Sequence, residues 1–298
     1  NPGDTAAAVT LLVPANDGTR TITSWTLPAL AQRVVSVHEL MPTQWGRLDV
    51  AVLTSSPIGV ERREVWGTPL RGGHGDLGST GPRTTWIFAD GSTRAPLRTT
   101  FEVFNPGAID AELAFLYLRA SGAAVTRVHV VPARGRQVID VAQEGVDLAA
   151  TDTGVQITAT NAVPVYVERV VSLVDASGLA RGAHAGGGVE APRHGWTFVD
   201  GATGAFFDLH LALVNLSTTT AQLAIDARRP DGTVVTRSLI VPAKRRVTVL
   251  LDTLDSRLAD TVVSVSTRSL NGVPHVAEQV QWWGGAGATA WTDGHVAT

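Results

Sequence analysis

Laid on itself, the chain repeats. Trp86-Ile87-Phe88-Ala89-Asp90-Gly91 recurs as Trp196-Thr197-Phe198-Val199-Asp200-Gly201, an offset of 110 residues. The same offset carries Asn105 to Asn215, Val131-Pro132-Ala133 to Val241-Pro242-Ala243, and Pro164 and Glu168 to Pro274 and Glu278. An internal period constrains the fold more than composition does, because every copy must be one structural unit that buries a face of its own or against its neighbour. The start of the chain joins this frame at an offset of 104, which sets Asn1-Pro2-Gly3 on Asn105-Pro106-Gly107 and Leu27-Pro28-Ala29 on Val131-Pro132-Ala133. After a three-residue gap Pro57 and Glu61 fall on Pro164 and Glu168.

Within a copy the apolar residues alternate. Phe101 and Val103, then Leu113, Phe115 and Tyr117, then Val128 and Val130, each follow period two, the signature of half-buried strands. Turn chemistry separates them at Asp17-Gly18, Ser121-Gly122 and Asp231-Gly232, the same place in each copy, where a hairpin needs the positive φ that glycine supplies. Later come Val155 to Thr158 and Val165 to Val167, repeated as Val263 to Ser266 and His275 to Ala277, with Asn271-Gly272 in the turn. Six or seven short strands in about 80 residues read as an all-β immunoglobulin-like β-sandwich, repeated in tandem every 105–110 residues or so. Propeller blades have shorter periods.

The expected organisation is an incomplete first sandwich over 1–80, a second over 86–185 and a third over 196–290, with 291–298 as the start of a fourth or a stray strand. Copy one lacks the opening strands that run from Trp to Phe, and Trp291-Thr292-Asp293-Gly294 looks like a shortened opening. The Gly-rich stretches Gly67 to Thr85 and Ser177 to Gly195 have no periodicity and are expected to be loops or linkers; helical turns are expected only near 143–149 and 254–259.

Charge and composition exclude several function classes. The net charge is −3 and the longest basic run is Lys244-Arg245-Arg246, so the footprint of a nucleic-acid binder is missing. No window is apolar enough for a membrane span. The absence of cysteine removes disulfides, thiolate metal sites and cysteine nucleophiles. With Thr/Val/Ala/Gly-rich strands and a single Met, Met41, this composition points to an exported, extracellular or cell-surface protein.

The Trp-x-Phe-Ala-Asp-Gly opening, the Asn-Pro turn, the Val-Pro-Ala hairpin and the Pro-x-x-x-Glu strand together resemble tandem β-sandwich repeats of large exported bacterial surface proteins, over nearly the whole chain. The resemblance implies location and architecture, and it carries no catalytic residues. Copy three departs from it at Asn215-Leu216 and Glu278-Gln279.

The repeated acids are the first candidates for chemistry: Glu61, Glu168 and Glu278 at one position, Asp90, Asp200 and Asp293 at another. Paired carboxylates serve acid/base work or bind calcium, yet a group present in every copy is more simply structural. Trp86 and Trp196 read as anchors for the same reason. The adjacent Trp282 and Trp283 face opposite ways on a strand, so one of them should be free to stack on a sugar ring. Gly73-His74-Gly75-Asp76-Leu77-Gly78 matches a dinucleotide fingerprint as a string but has no helix after it. The eight histidines are scattered, with only His184 and His194 close together in a loop, and no zinc motif or serine-nucleophile elbow is present. Asn215-Leu216-Ser217 is a glycosylation sequon.

The sequence therefore predicts a non-enzymatic structural, spacer or adhesive repeat protein without catalytic, cofactor or metal residues. Its expected partners are other copies of itself or neighbouring domains of a longer surface protein, with assembly through open strand edges. A carbohydrate-binding module using Trp282 or Trp283 is the second reading, and an enzyme accessory domain the third.

Overall fold

In a computed structural model the protein is all-β, built of tandem antiparallel sandwiches. The structure describes all residues except 16–17, 42–49, 67–71, 286 and 288, with the side chains of 14–21 and 66 also left aside; Asp17 and the Trp66 side chain thus fall outside the described residues. The first copy comprises β1 (Ala7–Ala15), β2 (Gly18–Leu27), β3 (Ala51–Thr54), β4 (Glu61–Trp66) and β5 (Gly72–Leu77). The second has β6 (Thr85–Phe88), β7 (Leu97–Phe104), β8 (Ala111–Arg119), β9 (Val125–Val131), β10 (Arg136–Asp140), β11 (Thr153–Ala159), β12 (Tyr166–Val174) and β13 (Ala180–Gly187). The third repeats this as β14 (Gly195–Phe198), β15 (Phe207–Asn215), β16 (Ala221–Arg228), β17 (Val234–Val241), β18 (Arg245–Leu250), β19 (Ser264–Ser269), β20 (Val276–Trp283) and β21 (Asp293–Ala297).

Copy two is two sheets, β10-β7-β12-β13 and β6-β11-β8-β9, and copy three has the same order, β18-β15-β20-β21 and β14-β19-β16-β17. The second strand pairs with the fifth and the third with the sixth, as in an immunoglobulin sandwich. The first strand instead borders the sixth, and the seventh borders the second. Among the described residues copy one shows the sheet β2-β1-β3 and the ribbon β4-β5, without equivalents of β6, β7 and β10. Most of the period-two residues point inward: Phe101, Val103, Leu113, Phe115 and Tyr117 fill the core of copy two with Trp86, Phe88 and Ile157. Val128 and Val130 do not; they lie on the outer, exposed side of β9. The Trp86 indole donates to the Val165 carbonyl at 3.0 Å and the Trp196 indole to that of His275 at 2.8 Å, one anchor used twice.

The Asn-Pro motif proves to be a corner. The Asn105 amide donates to the carbonyls of Ile109, Val131 and Pro132, while its oxygen accepts from the Gly107 amide. Asn1 and Asn215 make the same four bonds. Facing each corner, the residue after Pro-Ala turns left-handed, with φ of 51° at Leu30, 55° at Arg134 and 53° at Lys244. Buried and fully bonded, the Asn215 amide of the sequon is part of the fold.

Two expectations change. Trp291 to Gly294 does not open a fourth copy: it leads into β21, which pairs with β20 as β13 pairs with β12. Nor are the Gly-rich stretches linkers, since they contain β5 and β13. The glycines serve close approach, because a Cβ on Gly182 would run into the Thr292 carbonyl and one on Gly294 into the Trp282 ring. The dinucleotide-like string accordingly lies along β5, paired with β4, and ends at the residue after it.

Candidate functional site at the seams between copies

The chemistry-bearing residues gather where one copy meets the next. Copy two turns the outer face of β6-β11-β8-β9 toward copy three, and Ile87, Ala89 and Leu118 join Leu211, Leu213 and Val276 in one buried cluster. Gly154 packs directly on Val214.

At the edge of this apolar seam sits a charged lock. Arg169, with no exposed surface, forms an ion pair with Glu278, equally buried, and donates to the Asp90 carbonyl at 2.8 Å. The Glu278 carboxylate also accepts from the Asp90 amide at 2.7 Å. From the other side Arg246 donates to the Ala89 carbonyl at 2.9 Å and to the Asp90 carboxylate at 3.0 Å. His184 Nε2 lies 3.4 Å from the second Asp90 oxygen. Burial pushes Asp90 up, but the contact with His184 and the charges of Arg169 and Arg246 outweigh it and hold the carboxyl well below its usual range. Burial raises Glu278, against the charge of Arg169.

The first seam uses the same pairing. Arg62 is the copy-one equivalent of Arg169, as Glu61 is of Glu168, and Arg62 forms a two-pronged ion pair with Glu168, its Nη1 at 2.9 Å. In both seams, therefore, the arginine that follows the repeated Glu reaches forward to the repeated Glu of the next copy. Here the pair is half open, at 41% and 23% side-chain exposure, against none at Arg169 and Glu278. In copy three Gln279 takes the arginine's place and turns back to the Asp200 carbonyl of its own copy. Among the repeated acids, Glu168, Glu278 and Asp90 hold the seams, whereas Glu61 and Asp200 are exposed. Asp293 accepts from the Ala183 amide at 2.9 Å, between copies.

Strands β5, β13 and β21 lie side by side, so the copies meet through their last strands as well. His74, His184 and His295 occupy one register position, opposite Glu64, Val171 and Gln281. All three line a cavity of about 440 Å³ with Arg63, Trp283 and Asp293. The equivalence was hidden in the sequence because the chain between the repeated Glu and the histidine differs in length from copy to copy. His194 takes no part: it is exposed, ahead of β14.

Trp282 and Trp283 do face opposite ways. Trp282 is buried, stacked on Trp291 at 5.0 Å with 4° between planes, and touches the His184 ring on another side, so no sugar reaches it. The Trp291 indole in turn donates to Asp208. Trp283 is half-buried at the rim of the histidine cavity. Arg246, hidden in the basic run, was not legible as a seam residue, because only the position of Asp90 in space gives it a role.

No known protein family and no curated protein matches the chain. Among solved structures, the Anabaena sensory rhodopsin transducer is similar at 23% identity over 29% of this chain and 94% of that one, with a TM-score of 0.26. Thermotoga maritima 1070 is similar at 19% identity over 36% and 91%, with a TM-score of 0.31. The tandem CBM22 domains of Paenibacillus barcinonensis Xyn10C are similar at 8% identity over 67% and 84%, with a TM-score of 0.20.

Proposed function

We propose that this chain is a non-enzymatic, extracellular structural module that holds β-sandwich repeats in a fixed mutual geometry, as a spacer or adhesive element within a longer surface protein. The observation that carries the reading is the seam between copies two and three. A flexible string of domains would leave polar linkers and small wet contacts, whereas this seam buries Ile87, Ala89 and Leu118 with an ion pair beside them. The repeated acids most open to a catalytic reading are spent on these contacts: Glu168 on Arg62, Glu278 on Arg169 and Asp90 on Arg246. The partners are further repeats; among the described residues β3 and β4 carry no neighbour on the edges that β6 and β7 cover in copy two, and these edges are where strands add.

Limited proteolysis tests this. A rigid spacer resists cleavage between Ser177 and Gly195 under native conditions; early release of a single copy by cutting there overturns the reading. A second reading, glycan binding, is favoured by Trp283 alone, whose ring borders the histidine cavity. Retention on an immobilised glycan that Trp283→Ala abolishes, while Trp282 is untouched, would move this reading to the front.

A further inference from the structure

Copy two offers copy three an apolar sheet face and a charged socket, so the equivalent surface of copy three shows whether it offers the same to a further copy. The register is fixed by the offset of 110 residues, and at four of the positions that meet copy three the apolar or small residue is replaced by a polar one. Ile87 becomes Thr197, Leu116 becomes Asp226, Leu118 becomes Arg228 and Gly154 becomes Ser264. Thr197 and Arg228 are exposed, and Asp226 is held on the surface by Thr236 at 2.6 Å and Arg268 at 3.3 Å. Val199, which keeps the apolar character of Ala89, is 80% exposed and larger, where an alanine left room for the next copy. The arginine that reaches forward at both seams, Arg62 and Arg169, is Gln279. The socket that in copy two holds Arg246 and Glu278 is, in copy three, an open cleft of about 520 Å³ lined by Val199, Asp200, Arg228, Val262, Gln279 and His295.

We propose that copy three is a cap and that the stack has a direction: its outward face is closed to a further repeat of this kind. Polar terminal faces keep repeat stacks soluble for the same physical reason: burying an unpaired Asp or Arg against another sheet costs more than the remaining apolar area returns. The proposal rests on the spacer reading only in assuming that seams between copies are fixed.

The test is light scattering on the intact protein over a range of concentration, for the wild type and for the variant Asp226→Leu, Arg228→Leu, Gln279→Arg. The wild type is expected to show no association through copy three. The variant is expected to associate with rising concentration, with amides 197–201 and 226–228 gaining protection from hydrogen exchange as it does. A variant that stays monomeric, or that associates without protection of that face, overturns the proposal. Hydrogen exchange on the wild type decides the matter without a variant: amides 197–201 keep the same exchange rate at all concentrations if copy three is a cap, and concentration-dependent protection there overturns it. A protease-resistant wild type that nevertheless associates through copy three would sink the cap and leave the spacer reading standing.

Discussion

Arg169 of the second copy and Glu278 of the third are both without solvent exposure and are paired across the seam between their sandwiches. A buried pair is strongly destabilising when one partner is removed, because the other is left charged and unsolvated, whereas an exposed pair contributes little. Glu278→Ala or Arg169→Ala is therefore expected to cost about 3–5 kcal/mol. Arg62→Ala, at the half-open first seam, should cost about 1 kcal/mol or less. Urea unfolding of the three variants checks the contrast, and equal losses would refute it.

The Asn corner offers a second test. Asn105→Ala leaves the Ile109, Val131 and Pro132 carbonyls without their donor in a buried place, and a single unmade buried bond costs about 1–3 kcal/mol. We expect a loss of at least about 2 kcal/mol at Asn105 and likewise at Asn215. Aspartate at either position should not rescue, since it lacks the donor.

Close packing of the last strands predicts that Gly182→Val is severely destabilising, through its clash with the Thr292 backbone. Gly178, with open space around it, has a positive φ of 80° and should lose only the ordinary cost of a strained turn when changed to Ala. Thermal unfolding of the pair distinguishes a crowded strand from a linker, in which Gly182 would be indifferent.

Acid should weaken the third copy through His275. This residue has no exposed surface, and burial, helped by the charge of His194, lowers its pKa to about 4. Unfolded chain takes up a proton at about pH 6.5 that the folded protein refuses, so the contribution is complete above about pH 6.5 and is lost as pH falls to about 4, about 3 kcal/mol in all. Burial raises Glu278 and so acts in the opposite sense as pH rises, while Asp90, held low, loses its contribution only below the usual carboxylate range. The stability difference between wild type and His275→Gln, followed between these pH values, isolates the histidine. A pH-independent difference would contradict its neutral burial.

The amino-acid sequence by itself determined the copies, most of the strands and the corner residues. Each of these is written in local terms: alternation such as Leu113-Phe115-Tyr117, turn glycines such as Gly122 and Gly232, and an Asn whose partners lie mostly a hairpin away. What the tertiary structure decided is how the copies meet. Gly182 looked like a loop residue, and Gly294 like part of a new opening, because a glycine chosen for close approach has no strand signature of its own; only the neighbour supplies the reason. Arg246 read as the end of a short basic run, and Trp282 as one of two candidates for an outward face, until Asp90 and Trp291 were brought beside them from distant parts of the chain. Side-chain pattern specifies which face of a strand is buried, but what buries it at a seam depends on a second sheet, and that placement exists only in three dimensions.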